Sequence, residues 1–326
     1  MNDAPLASIL LIAYQQEKTV AQAVAGALSQ TYSPLEIILS DDASNDGTFA
    51  AMQAAVAGYS GPHRIKLNRN PHNLGIGAHL SHLVSLSKGE MLFVAAADDV
   101  SLPRRCERVM SAWRASGQRL DLIATALIDI DESGRAGAVI TPSDLSAYHD
   151  AADWLARPPF VVGAAQAWTR RVFERFGPLP KGVVAEDLIM VLRAVMSGGA
   201  VTLAEPLVRY RRGGLSFRRR AQTAGDVMKA LLKNNRSSLI ELPLLLDDAR
   251  SAGQQAAVEP ALLARLARER FIHDLFAASS LLSRCRVVQD TNSVPLALRL
   301  RLFVYAACPA LLAPFFWLKR TFRRPR

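Results

Sequence analysis

Two acidic pairs in this chain each stand where a hydrophobic run gives out. Asp41-Asp42 closes Ile37-Ile38-Leu39-Ser40, and Asp98-Asp99 closes Met91-Leu92-Phe93-Val94-Ala95-Ala96-Ala97. In an open α/β sheet ligands bind beyond the carboxyl ends of the strands, and carboxylates gathered there can hold a divalent cation against a diphosphate. A third pair, Glu186-Asp187, opens the helical pattern Leu188, Val191, Leu192 and Val195 and adds a catalytic element to a nucleotide and metal site. Each pair also has a plainer reading: Asp41, Asp42 and Asp46 as helix caps, and Glu186-Asp187 as acids favoured by a helix dipole.

The elements that must position these residues alternate. Ser8 to Ala13 is a short apolar run ending at Tyr14, and Val20, Val24 and Leu28 share one face of a helix over Thr19 to Gln30. Ile37 to Ser40 is a second strand, followed by the polar turn Asp41 to Thr48. Arg64 to Leu67 is a third strand, then come the turn Asn70 to Gly75, a helix over Ile76 to Ser87 and the strand Met91 to Ala95. Asp121 to Ile130 and Val161 to Trp168 are further strands. The expected fold class is α/β, a mainly parallel sheet flanked by helices. From about Phe217 the sequence is helical, Ala/Leu-rich and basic, so the expected domains are residues 1–216 and a helical C-terminal extension, residues 217–326.

At 326 residues the chain is long enough for a large core. Its net charge of +10 suggests an anionic partner, either a nucleotide diphosphate, a nucleic acid or an acidic membrane face. The arginines are not interleaved with aromatic residues in a nucleic-acid module pattern, so nucleic acid is not expected. Cys106, Cys285 and Cys308 show no paired spacing, which supports neither a disulfide framework nor a zinc site and fits a reducing compartment. The start lacks the basic region and cleavage pattern of a signal peptide. Gly75 and Gly77 give only a fragment of a dinucleotide fingerprint, since Leu80 stands at its third glycine position.

Taken in order, SILLIAYQQEKTVAQAVAGALSQTYSPLEIILSDDASNDGT, NPHNLGIGAHLSHLVSLSKGE, MLFVAAADDVSLP, VVAEDLIMVLRAVMSGG and PLVRYRRGG resemble the inverting glycosyltransferases of family 2 over roughly residues 6 to 216. The resemblance implies a GT-A, Rossmann-like fold and a nucleotide-sugar donor, UDP-linked by the weight of the family. It implies that Tyr14 borders the base, that Asp42 hydrogen-bonds base or ribose with Asp41 beside it, and that Ala97 and Asp98 line the donor. Asp98 takes the position of the family's Mg2+ or Mn2+ contact, with Asp99 as support, while Ala96 stands where an aspartate is usual. One protein carboxylate can serve such an ion when diphosphate oxygens and water fill the other positions. Asp187 is implied as general base, with Glu186 either orienting it or touching the acceptor.

Arg209 to Gly214 matches the family segment after the last core strand, where Arg211 and Arg212 are expected to meet the diphosphate. A solvated or lipid-facing loop is the other reading of the outer arginines. Trp168 suits either an acceptor sugar or the core. The charge-free stretch Leu302 to Leu318 is short for a spanning helix, contains Pro309 and Pro314, and is basic on both sides. An interfacial segment fits it best, with packing against its own domain or spanning as alternatives. The expectation is therefore a cytoplasmic enzyme, peripheral at the inner membrane face, adding a sugar to a glycan or lipid-linked acceptor of a bacterial surface polysaccharide or glycolipid. A nucleotidyltransferase and a membrane-recruited scaffold with a degenerate site are the alternatives. Tyr14-Gln15-Gln16-Glu17 replaces the glycine-rich loop the former needs, and Ala96 motivates the latter.

Overall fold

The computed structural model describes residues 4–211 and 223–308. The chain divides into two compact units, Met1–Phe217 with Asp248–Gln254, and Arg218–Asp247 with Gln255–Arg326.

The first unit is built on a nine-stranded sheet. Its strands are β1 (Ala7–Ala13), β2 (Leu35–Asp41), β3 (Arg64–Arg69), β4 (Met91–Ala96), β5 (Val100–Ser101), β6 (Leu122–Ile130), β7 (Ala136–Ile140), β8 (Gln166–Thr169) and β9 (Ala200–Arg211). They run in the order β3-β2-β1-β4-β8-β6-β9-β5, with β7 on β6. The half that carries Asp41, Asp42 and Asp98 is parallel, β1 pairing with β2 and β4, and β2 with β3. β8 then enters antiparallel to both β4 and β6, while β6 and β9 run parallel to each other. β1, β2 and β4 read as near-continuous apolar runs because both their faces are covered. The main core gathers Ile9, Leu11, Ile37, Leu39, Phe93 and Ile123 with Val20 and Val24 of the first helix.

The helices of this unit are α1 (Val20–Leu28), α2 (Thr48–Val56), α3 (Ile76–Leu86), α4 (Arg105–Ala115), α5 (Ala151–Ala156), α6 (Arg170–Phe176) and α7 (Glu186–Val195). The second unit consists, among its described residues, of helices: most of α8 (Ala224–Ser251), α9 (Gln255–Ala277), α10 (Leu281–Asp290) and α11 (Leu296–Ala307). Phe271, Ile272, Leu275, Val294, Leu302 and Ala306 form its core.

The strand expected over Val161 to Trp168 is shorter and shifted, because Gly163–Ala165 make a single 3-10 turn and pairing begins only at Gln166. Trp168 is fully buried with its ring against Phe173, so of its two readings the core one holds. α4 has the spacing of an amphipathic helix, burying Arg105, Cys106, Val109, Met110 and Trp113, but its charged composition hides the pattern. Among the described residues no helix is long and apolar enough to cross a membrane. Residues 309–318 of the apolar tail lie outside the described residues.

Candidate active site

Strand register brings the acidic pairs to one edge. Ala13 sits opposite Asp41, and Ile12 opposite Ala96. Just past the strands the Asp42 N–H donates to Ala13 O (2.9 Å), the Ala97 N–H to Ile12 O (3.0 Å) and the Asn70 N–H to Asp41 O (2.9 Å). Asp42, Ala97 and the exposed Tyr14 therefore leave the sheet side by side.

The loops after β1 and β2 are stitched together by side chains. Gln15, in the left-handed region at φ 54°, donates its N–H to Ser44 Oγ (2.8 Å), and the Gln16 N–H donates to Thr48 Oγ1 (2.8 Å). Gly47 N–H donates to Glu17 (3.1 Å). Asp41 is buried in this knot: it accepts from the Ser44 N–H and hydroxyl and pairs with Arg69 Nε at 3.2 Å.

Asp42, only 2% exposed, is the anchor of the loop before α3. Its Oδ1 accepts from Asn70 Nδ2 (2.8 Å) and the Leu74 N–H (2.9 Å), and its Oδ2 from the Gly75 N–H (3.0 Å). A carboxylate offers about four acceptor positions, so among the described residues the one left is on Oδ2. Behind it lies a buried polar chain. Asn68 Nδ2 donates to Ser40 Oγ (2.8 Å) and to Asn70 Oδ1 (2.9 Å), and Ser40 Oγ meets His79 Nε2 at 2.6 Å. The other nitrogen of His79 is 4.0 Å from Asp42 Oδ2. Burial pushes this histidine down to about 4, against the pull of Asp42, so it is neutral at physiological pH.

Asp98 and Asp99 differ. Asp98 is half-buried, and burial raises its carboxyl. Asp99 is buried, and burial together with the charge of Asp98 raises it well above the usual carboxylate range. Asp99 Oδ1 accepts the Arg211 N–H at 2.8 Å, which fastens the end of β9 to the turn after β4. The expectation that Arg211 reaches a diphosphate meets a different arrangement. Its guanidinium is turned inward and donates to Asp98 O (3.1 Å), Asp131 O (2.9 Å), Glu132 O (3.0 Å) and Gln22 Oε1 (2.9 Å), where it acts as a clasp. Arg212 lies outside the described residues.

Glu186 and Asp187 form the first turn of α7. Since β8 is antiparallel to β4, with Phe93 opposite Ala167, Gln166 lies toward the carboxyl end of β4. Gln166 Nε2 donates to Asp187 O (3.2 Å), and its own Oε1 accepts from Trp168 Nε1 (2.7 Å). The α7 start thus stands on the same edge as Asp98. Asp187 is half-buried, its Oδ1 accepting the Leu188 N–H (2.8 Å), whereas Glu186 is buried against Gly163, where a Cβ would come within 2.8 Å of Glu186 Oε1. The helix behind them is fixed by Arg193, fully buried and forked onto Asp248 (2.7 and 3.2 Å), with Gly177 O as a further acceptor (2.8 Å).

The family model described as Glycosyl transferase family 2 matches residues 8–174. A protein of Bacillus subtilis (strain 168) named as glycosyltransferase EpsE is 31% identical over 75% of this chain and 86% of its own length. The chain belongs to glycosyltransferase family 2. A second relative, the succinoglycan biosynthesis protein ExoO of Rhizobium meliloti, is 25% identical over 45% of this chain and 40% of its own. Among solved structures, S. aureus TarS 1-349 in complex with UDP-GlcNAc superposes with a TM-score of 0.52 at 15% identity, covering 94% of this chain and 88% of that one. The mannosyltransferase PcManGT from Pyrobaculum calidifontis, in complex with GDP-Man and Mn2+, gives 0.53 at 14% identity over 99% and 89%. The fold of this family 2 glycosyltransferase is accordingly GT-A.

Several residues of this glycosyltransferase that shape the edge receive no role from the sequence, Asn70 and His79 from within a segment of the resemblance and Gln166 and Gly163 from outside all of them. Asn70, Gln166, Gly163 and His79 act through hydrogen bonds or close approach that only the assembled sheet creates. Among the described residues no group of three or more His, Cys, Asp or Glu could hold a metal ion. A cation here would therefore draw most of its ligands from substrate and water, and the half-buried Asp98 fits that donor set.

Proposed function

We propose that this enzyme transfers a sugar, with inversion, from a UDP-sugar to a hydroxyl of a glycan or lipid-linked acceptor in the assembly of a bacterial surface polysaccharide or glycolipid. The observation that carries this reading is the gathering of Asp42, Asp98 and the Asp187 turn along one sheet edge. Similarity to ExoO, a succinoglycan biosynthesis protein, supports the polysaccharide setting.

Asp42 supports uridine. With both positions on Oδ1 taken by Asn70 and Leu74, the carboxylate has room for one donor on Oδ2. That suits the single imide N–H of uracil better than the paired N–H donors of guanine, which need one acceptor on each oxygen. Tyr14, exposed at the end of β1, offers a ring for the base.

Asp98 would hold Mg2+ or Mn2+, whose charge would offset that of the leaving diphosphate. Asp99 keeps its turn in place through Arg211. Asp187 takes the proton of the acceptor hydroxyl as that oxygen bonds to the anomeric carbon and the carbon–oxygen bond to the diphosphate breaks on the opposite face. The nucleoside diphosphate leaves with the electron pair. Glu186, held against Gly163, orients the turn that carries Asp187.

The test is titration calorimetry with UDP and GDP, with and without Mn2+, followed by transfer from radiolabelled UDP-sugars to a membrane lipid extract. Metal-enhanced UDP binding, and product that disappears in Asp187→Asn, would support the reading. Binding of GDP in preference to UDP would overturn the uridine assignment, and nucleotide binding without any product would return the scaffold reading.

A further inference from the structure

Among its described residues the second unit exposes an apolar face. On α11, Leu296 (57% exposed), Leu300 (51%) and Val304 (39%) recur at every fourth residue and make one ridge, with Ala297 and Cys308 beside them. The opposite side of the same helix supplies Leu302 and Ala306 to the core with Phe271, Ile272 and Leu275. α11 is therefore apolar on both sides while only one side is packed. A soluble surface helix ordinarily shows a polar outer face.

α10 runs antiparallel beside it. Arg284 donates to Ala306 O (2.9 Å) near one end, and Arg299 donates to Val288 O (2.5 Å) near the other. This brings Leu281 and Leu282, themselves 61% and 75% exposed, to the end of the pair where Val304 and Cys308 lie. Arg286 and Arg301 are exposed on the same two helices.

Charge selects the occupant. From Leu281 to Arg326 the sequence has nine Lys and Arg against one acid, Asp290, so this stretch carries +8 of the chain's net +10. A second copy of the chain would bring two such concentrations together and is disfavoured by repulsion. A nucleic acid would answer the charge but would leave the aliphatic ridge in water. An anionic bilayer answers both, since aliphatic side chains enter the boundary of the acyl region while arginines stay among the headgroups.

We infer that the α10–α11 face, through Leu281, Leu282, Leu296, Leu300 and Val304, docks this enzyme on an anionic lipid surface. This goes beyond the proposed reaction and uses none of its residues. It assigns the contact to a folded helical face, in addition to whatever the tail after Cys308 contributes.

The test is flotation of the full chain with vesicles of phosphatidylglycerol and phosphatidylethanolamine, compared with phosphatidylcholine alone. The wild-type chain is expected to float with the anionic vesicles and to be released by salt. Leu300→Glu with Val304→Glu is expected to weaken partition by about tenfold or more, and Arg286→Gln with Arg301→Gln to flatten the salt dependence. In an otherwise wild-type chain, Val304→Trp should shift its fluorescence to the blue on anionic vesicles. UDP titration and thermal melting of each variant keep loss of docking distinct from loss of fold or of the donor site. Flotation of the double glutamate variant at wild-type level, or no flotation of the wild type, would overturn the inference. So would a dimer that the glutamates abolish while flotation is unchanged, since the ridge would then be an interface between copies.

Discussion

Asp99 Oδ1 accepts the backbone N–H of Arg211 at 2.8 Å, and the same arginine's guanidinium reaches back to Asp98 O. The end of β9 and the turn after β4 are thus held by two bonds that Arg211 donates, one from its backbone to a side chain and one from its side chain to a backbone. The second carboxylate of the acidic pair is used to place the first.

Arg211→Met should therefore loosen the edge without removing a substrate contact. Four carbonyl-type acceptors lose their donor at once. The expected cost is about 2–4 kcal/mol, read as a lowered urea midpoint, with weaker Mn2+-dependent UDP binding in parallel. A variant that keeps its stability but loses UDP affinity would instead return Arg211 to the donor.

Asp187→Asn preserves the shape of the α7 start and removes the proton acceptor proposed above. Transfer should fall by about 100-fold or more, with UDP affinity within about twofold of wild type by calorimetry.

Gly163→Ala places a methyl 2.8 Å from Glu186 Oε1, and Glu186 is too buried to swing aside. We expect about tenfold slower turnover with little change in donor KM. Steady-state kinetics separates the two.

His79 predicts an acid sensitivity with a defined direction. It is held near pKa 4 in the fold against 6.5 in the unfolded chain, so the unfolded chain takes up the proton first. Stability present above about pH 6.5 is lost as pH falls toward about 4, by on the order of 3 kcal/mol. Urea melts at about pH 7.5 and about pH 4.5 should differ less in His79→Gln than in the wild type.

The Arg193–Asp248 pair is buried on both sides, so removing one partner strands a charge. Asp248→Ala is expected to cost about 3–5 kcal/mol, and Arg193→Met with Asp248→Leu to recover much of that loss. Chemical denaturation of the singles and the double forms the cycle.

Much of the parallel half was legible in the sequence because a doubly covered strand has no polar alternation to confuse it. Ile9 to Ala13, Ile37 to Leu39 and Met91 to Ala95 announce themselves. The two-residue β5 and the exposed β7 carry too little apolar pattern to be read. α4 hides its periodicity behind arginines, one of them buried. Asp42, Asp98 and Asp187 could be chosen by type and position, but the partners of each could not. Arg211 illustrates why: Arg209, two residues earlier on the same face of β9, has the same chemistry in the sequence, and only the turns that bring Asp98 O and Asp131 O over the strand's end make Arg211 the buried one.

Arg211 gathers Gln22, Asp98 and Asp131, which lie 189, 113 and 80 residues before it. During synthesis the loops after β1 and β2 exist long before the residue that closes the edge has left the ribosome. A nascent chain lacking β9 has Asp42 and Asp98 without the clasp that holds the turn after β4. The edge proposed for the chemistry closes only when β9 arrives.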